Sequence, residues 1–177
     1  MVLLSLVLVL IIFAAITAAV VYNDKRAVID ETREVFTNKE GEAPYTDLEG
    51  NPISLDQYLG KILVVTSWAS WSPFSKDDLE NMTELSAVYA EKDVVFMAIN
   101  RKETKEQAAR YLQTQPTFTN LVMVLDPRDY FYNAIGGYAM PELVVYNRRG
   151  EIINHFRGPA TQSEVESVIN ELLSSKE

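Results

Sequence analysis

Apolar residues follow two different patterns along the chain, one at the N-terminus and one from residue 45 onward. Residues 2–22 carry no charge, and at 1.5 Å per residue a helix of this length spans the roughly 30 Å hydrocarbon core of a membrane. A cleaved signal peptide is the alternative, but no basic residue precedes the run and no clear small-residue cleavage site ends it. The pattern predicts an uncleaved transmembrane anchor at residues 2–22.

The rest of the chain predicts a tether followed by one α/β domain. Residues 23–43 are rich in charge and predict a stalk or flexible linker, whereas residues 44–177 alternate β-branched apolar runs with apolar residues at helical spacing. Residues 46–55 predict a strand, a Gly-Asn turn and a second strand, and residues 55–59 predict about one helical turn. The further predicted strands are 62–66, 94–99, 121–125, 143–146 and 151–156, and the predicted helices are 73–91, 104–112, a short one ending at 135, and 161–174. Alternation followed by a hairpin predicts a mixed central sheet with helices on both faces.

Composition narrows the classes of function. The 177 residues carry a formal net charge of −9, which excludes nucleic acid and an anionic lipid surface as the main target. The chain has no cysteine, so it has no disulfide, no thiol chemistry and no thiolate metal site. Histidine and carboxylates show no metal-ligand spacing, and we therefore expect neither a metal nor another cofactor.

The stretch SWASWSPFSK, residues 67–76, lies between a predicted strand and a predicted helix. Trp68-Ala69-Ser70-Trp71 resembles a W-x-x-W that leads into a C-x-x-C motif, and Ser72 and Ser75 hold the two cysteine positions. Met140-Pro141, directly before a predicted strand, resembles the cis-proline of proteins that carry such a C-x-x-C motif.

Together with the segment Leu48–Leu59, which matches an extra N-terminal segment, these motifs make residues 44–175 resemble the thioredoxin fold. Within that fold, the chain resembles the membrane-anchored thiol-disulfide oxidoreductases of the TlpA/ResA type, in the redoxin group. The resemblance implies a thioredoxin-like mixed sheet and a cis bond before Pro141. It also implies an acidic residue near the site, for which Glu103 is the candidate.

The two serines separate this chain from the activity that the resemblance implies. Thiol–disulfide exchange needs a thiolate, and a serine hydroxyl is far less acidic than a thiol. Ser72 and Ser75 therefore support neither disulfide exchange nor peroxide reduction, and we predict no catalytic residue. A serine nucleophile would need a base, and the only histidine, His155, is distant in sequence.

Several residues have a structural interpretation beside the functional one. The sequence predicts Ser72 as the N-cap of the following helix, with Pro73 in its first turn. Trp68 is predicted in the core and Trp71 as an exposed contact residue, while Phe74 fits either a packed or an exposed position. The two acidic residues Asp77 and Asp78 are predicted to stabilise the helix through its dipole.

The resulting hypothesis is a membrane-anchored, thiol-free binding module. A groove formed by Trp71, Pro73, Phe74, Met140 and Pro141 would bind an extended segment of another membrane or envelope protein by β-augmentation. One alternative is a thiol-disulfide oxidoreductase or antioxidant function in the family sense, in cytochrome c maturation or an envelope disulfide pathway. The other is an engineered cysteine-to-serine variant of an active enzyme.

Membrane orientation rests on two opposing indications. The basic residues Lys25, Arg26 and Arg33 follow the anchor and favour a cytoplasmic domain. The resemblance implies a domain outside the cytoplasmic membrane. Following the resemblance, we predict a single-pass protein of the cell membrane with an extracytoplasmic C-terminal domain.

Overall fold

The computed structural model describes residues 13–20 and 45–175. Residues 13–20 are helical, and the hydroxyl of Thr17 donates to the carbonyls of Phe13 and Ala14, at 3.0 and 2.9 Å. Most of the predicted anchor and the whole predicted stalk, residues 23–43, lie outside the described residues. Within the described ranges, no helix has the length and apolar character needed to cross a membrane.

Seven strands of residues 45–175 form one mixed sheet in the order β2-β1-β5-β4-β3-β6-β7. The strands are β1 (Tyr45–Asp47), β2 (Pro52–Ile53), β3 (Ile62–Trp68), β4 (Val94–Arg101), β5 (Leu121–Asp126), β6 (Glu142–Tyr146) and β7 (Ile152–Arg157). The central strands β3, β4 and β5 are parallel, while β6, β7, β1 and β2 pair antiparallel with their neighbours. Every side chain of β3 is buried, because helices or turns cover both faces of the sheet there.

The helices are α1 (Ser75–Val88), α2 (Lys105–Gln113), α3 (Tyr130–Ala134) and α4 (Gln162–Ser174), with a 3-10 turn at Leu55–Tyr58. Helices α1 and α4 contribute Met82 and Ile169 to one apolar cluster against the sheet. The 3-10 turn and α3 contribute Leu55 and Phe131 to a second cluster, which covers the other face. The predicted mixed α/β sheet with helices on both faces is confirmed.

The start of α1 differs from the prediction. The helix begins at Ser75 rather than at Pro73, its N-cap is Phe74, and no side chain caps it. The Ser75 N–H donates to the backbone carbonyl of Ser72 at 3.3 Å, not to its hydroxyl. The predicted Ser72 N-cap is therefore wrong, because a backbone turn already satisfies the amide that the hydroxyl would have capped.

One edge of the sheet collects the residues of interest. The pair Ser67–Glu142 in β3 and β6, and the pair Trp68–Asn100 in β3 and β4, lie at the ends of their ladders. The segment after β3, the turn after β4 and the loop before β6 therefore lie side by side, because β3 and β4 end, and the antiparallel β6 begins, at the same edge of the sheet.

Candidate functional site

The two serines at the cysteine positions have different surroundings. Ser75 is buried, and its Oγ accepts a hydrogen bond from the Ala69 N–H at 3.0 Å. Ser72 is only 5% exposed, and its Oγ has no hydrogen-bond partner within the part of the chain that the structure describes. Ser75 thus holds the turn after β3, whereas Ser72 presents an unsatisfied hydroxyl.

Glu103 fastens the loop that carries these serines. Its carboxylate is buried and accepts from the Ser70 N–H at 2.9 Å, from the Ser70 hydroxyl and from the Asn100 side-chain amide at 2.6 Å. The structure therefore places Glu103 in contact with Ser70, two positions before Ser72 in the sequence. All three hydrogen bonds come from neutral donors, and two of them hold Ser70 in the loop after β3. Among the described residues, no lysine, arginine or histidine forms an ion pair with Glu103.

The two tryptophans occupy the positions predicted for them. Trp68 is fully buried, its indole N–H donates to the Ala98 carbonyl at 3.4 Å, and its ring packs on Tyr111 with centroids 5.6 Å apart. Trp71 is 57% exposed and Phe74 is 52% exposed. The open question about Phe74 is answered in favour of an exposed side chain on the segment that holds Ser72.

The loop before β6 contains the other predicted contact residues. The Met140–Pro141 peptide bond is cis, Pro141 is buried, and the Met140 sulfur lies 3.8 Å from the Ser67 hydroxyl. Tyr138 in the same loop is 76% exposed. Together with Trp71 and Phe74, it gives this edge of the sheet three solvent-exposed aromatic side chains.

Glu142, the first residue of β6, was not predicted and is fully buried. Its Oε1 accepts from the N–H groups of Tyr138 and Ala139, at 2.7 and 2.8 Å. Its Oε2 contacts His155 Nε2 and lies 3.9 Å from the Arg157 guanidinium. The sequence carried a signal for this cluster, because Glu142 is the only charged residue in the otherwise apolar strand ELVVY.

A second missed group connects Trp71 with this loop. The Arg101 guanidinium lies 5.8 Å from the Trp71 ring centroid and 3.3 Å from that of Tyr132. The Tyr132 hydroxyl donates to the Ala139 carbonyl at 2.8 Å. A Cβ added at Gly137 would lie 2.7 Å from the Tyr132 ring, so the loop needs glycine there.

Arg101 is itself fixed by a buried ion pair. Its Nε and Nη2 donate to the two carboxylate oxygens of Asp129, at 2.9 and 2.7 Å, and Lys102 lies 3.2 Å from the same carboxylate. Burial opposes the negative charge on Asp129, but hydrogen bonds and charges from Arg101 and Lys102 outweigh it and lower the Asp129 pKa. The geometry is that of a rigid bidentate pair.

Asp78 also differs from its predicted role. It lies in the first turn of α1, as does the exposed Asp77, but it is partly buried and accepts from the Thr66 hydroxyl at 2.5 Å. Burial raises the pKa of Asp78 to about 6, although the hydrogen bond from Thr66 acts in the opposite direction. A dipole role alone does not account for this carboxyl group.

The fold and these positions define a thioredoxin-like protein with serines where the class carries its dithiol. Residues 23–173 match the Redoxin family, and the chain belongs to it. Within residues 13–20 and 45–175, no group of three or more histidines and carboxylates is arranged to hold a metal ion. The match to the Redoxin family confirms the family that the sequence motifs indicated.

Named relatives agree with this assignment. The chain is 26% identical over 122 residues to the thiol-disulfide oxidoreductase ResA of Geobacillus kaustophilus, covering 68% of each protein. It is 29% identical over 134 residues to the thiol:disulfide interchange protein HelX of Rhodobacter capsulatus, covering 75% of this chain and 69% of the relative.

Solved structures show the same fold. A thiol:disulfide interchange protein of the thioredoxin family from Chlorobium tepidum superposes with a TM-score of 0.60 at 20% identity, covering 75% of this chain and 96% of the other. The exposed lipoprotein thioredoxin of Streptococcus pneumoniae superposes with a TM-score of 0.64 at 17% identity, covering 72% of this chain and 96% of the other.

Proposed function

We propose that the chain is a membrane-anchored, thiol-free redoxin that binds an extended segment of another membrane or envelope protein. The segment lies across the site groove, which we define as Trp71, Pro73, Phe74, Met140 and Pro141. Residues 2–22 anchor the protein, and the domain lies outside the cytoplasmic membrane. With no cysteine in the chain, the interaction is non-covalent.

The observation that carries this proposal is the hydrogen bonding around Met140. Its neighbours are all engaged: the Ala139 N–H by Glu142, the Ala139 carbonyl by Tyr132, and the Pro141 carbonyl by the Gly158 N–H at 2.9 Å. Among the described residues, the backbone N–H and carbonyl of Met140 have no such partner. An extended chain pairs with free backbone groups of this kind, and the exposed aromatic rings beside them add apolar contact.

The direct test is affinity capture from a membrane extract with the full chain, under reducing and under oxidising conditions. We expect one defined protein to be retained equally in both conditions and to be lost with Trp71→Ala and with Met140→Lys. Val88→Ala is the matched control, since Val88 is 59% exposed at the far end of α1. Retention by the two groove variants at the level of the control would contradict the groove.

The relatives named above suggest a second candidate, in which the partner itself carries the cysteines. In this form the chain assists a thiol-disulfide pathway by holding a cysteine-bearing segment, while the chemistry takes place on another protein. The unsatisfied Ser72 hydroxyl supports it, because a bound segment that supplies a hydrogen-bonding group would relieve the cost of that burial. Alkylation mapping of the captured partner distinguishes the candidates, since a partner without cysteine excludes this one.

Orientation is tested separately. In spheroplasts, where the cell wall has been removed but the cytoplasmic membrane is intact, we expect added protease to digest the C-terminal domain. A domain that stays protected until that membrane is lysed would place it in the cytoplasm, as the basic residues after the anchor favour.

A further inference from the structure

The loop before β6 is held by side chains that do not belong to the site groove. Glu142 binds the N–H groups of Tyr138 and Ala139 through one carboxylate oxygen, and His155 contacts the other oxygen. His155 lies on β7 opposite Val144, so it is a diagonal neighbour of Glu142 on the same face of the sheet. A carboxylate with no exposed surface is costly to bury unless it is hydrogen-bonded, and His155 supplies the hydrogen-bond contact to the second oxygen.

Three further hydrogen bonds hold the carbonyls of the same loop. Arg157 donates to the Gly136 carbonyl at 2.8 Å, while Tyr132 binds that of Ala139 and the Gly158 N–H binds that of Pro141. The Arg157 guanidinium also lies 4.8 Å from the Tyr138 ring centroid. The loop is thus fixed on both sides of Met140, whereas the backbone N–H and carbonyl of Met140 itself are not held by any described residue.

We propose that Glu142, held by His155, together with Tyr132, positions the backbone of Met140 for an incoming segment. This inference rests on the proposed function. Because Tyr138 and Ala139 have no free N–H, a segment cannot slide to pair with them, and its register is set at Met140. His155, Glu142 and Tyr132 are positioning residues, since they act through the loop and do not touch the partner.

The test uses the full chain with Ser72→Cys, which adds the only thiol. The rate at which this thiol reacts with a peptide disulfide then reports how well the peptide binds in the site groove. The peptide probe has the sequence Ala-Val-Thr-Val-Cys-Val-Thr-Ala, with its cysteine sulfur bonded to 5-thio-2-nitrobenzoate. The thiolate introduced at position 72 attacks the peptide sulfur, a mixed disulfide forms, and coloured thionitrobenzoate leaves. The small reagent 5,5′-dithiobis(2-nitrobenzoate) reports thiol reactivity without backbone pairing.

Relative to the parent, His155→Phe is expected to slow the peptide reaction about tenfold, roughly the value of one hydrogen bond to a charged group, and to leave the small reagent unchanged. His155→Gln returns an N–H donor near Glu142 and is expected to restore the rate to within about threefold. Faster exchange of the Tyr138 and Ala139 amides in His155→Phe would accompany the slowing. Equal slowing of both reagents, or no slowing of the peptide, would overturn the inference.

Tyr132→Phe keeps the test decisive if His155→Phe does not fold. This variant removes one oxygen and its bond to Ala139, so the fold is retained, and the peptide reaction is expected to slow about threefold with the small reagent unchanged. An unchanged peptide rate here would also overturn the inference. Failure of the proposed function looks different: the parent itself would then show no preference for the peptide over the small reagent.

Discussion

The Arg101 guanidinium lies 3.3 Å from the ring centroid of Tyr132, and the hydroxyl of that ring donates to the Ala139 carbonyl. One side chain on β4 is thereby linked to the loop before β6, and on its other side it approaches Trp71. Cation–π contacts of a largely desolvated arginine reach about 2 kcal/mol. The ion pair with Asp129 therefore fixes the guanidinium that contacts both Tyr132 and Trp71.

That ion pair gives the first prediction, for Asp129→Asn. Asparagine tolerates the left-handed backbone of residue 129 (φ 60°) and keeps the shape of the side chain but removes its charge. Arg101 then stays buried without its counter-charge, and we expect the free energy of unfolding to fall by about 3 kcal/mol in urea denaturation.

Asp77→Asn is the control for the first prediction, because Asp77 is exposed and surface substitutions stay within about 0.5 kcal/mol. A loss in Asp129→Asn no larger than in this control would mean that the Arg101–Asp129 pair adds nothing to stability.

The second prediction contrasts the two serines. Ser75→Ala removes the acceptor of the Ala69 N–H and is expected to cost about 1 kcal/mol of stability. Ser72→Ala removes a buried hydroxyl without a partner and is expected to be neutral or to stabilise by about 1 kcal/mol. Thermal or chemical unfolding of both variants measures the difference, and a loss of stability in Ser72→Ala would restore the capping role that the structure does not show.

The third prediction concerns the pH dependence of stability. Burial raises the pKa of Asp78 from 3.8 to about 6, so the folded state holds this proton more tightly than the unfolded state. The contribution of Asp78 is fully favourable below about pH 4, declines as pH rises through about 6, and is then constant. The total decline is about 2–3 kcal/mol.

Asp78→Asn is expected to remove this decline and to make the protein more stable than the parent at pH 7, since the amide keeps a hydrogen-bonding group near Thr66. Unfolding curves between pH 4 and pH 8 measure the effect, and Asp77→Asn should retain the decline of the parent. Parallel curves for Asp78→Asn and the parent would show that the carboxyl group is not held in its neutral form.

The fourth prediction concerns two cysteines introduced at positions 72 and 75. The Ser75 N–H bonds to the Ser72 carbonyl, and a four-residue turn of this kind keeps its end Cα atoms within about 7 Å, the range that a disulfide spans. Under oxidised glutathione, the double variant Ser72→Cys, Ser75→Cys is expected to lose two hydrogens, about 2 Da, by intact-mass spectrometry. Ser72→Cys alone should instead add glutathione, and two glutathione adducts on the double variant would show that the turn does not bring the positions together.

The sequence determined the order of the elements, because strands buried on both faces of a parallel sheet are typically near-continuous apolar runs. The runs at 62–66, 94–99 and 121–125 are of this kind, and each lies within a strand of the structure. It also determined what the site lacks, since redox chemistry at positions 72 and 75 depends on atom type and serine has no sulfur. The buried Trp68 and the exposed Trp71 followed from the same motif.

Only the tertiary structure decided how the site is held. Counting outward from the turn at Asn147–Gly150 places Glu142 opposite His155. In the structure Tyr146 pairs with Ile152 rather than with Glu151, and an irregularity between Val145 and Tyr146 shifts the register by one more residue, so that Glu142 pairs with Arg157. The backbone turn that replaces the Ser72 cap, and the stacking of Arg101 on Tyr132, depend on segments that are distant in sequence. Local sequence patterns indicate the secondary-structure propensity of a segment and the face that it buries. Buried polar contacts depend instead on which polar groups come within hydrogen-bonding distance once the sheet and helices have packed.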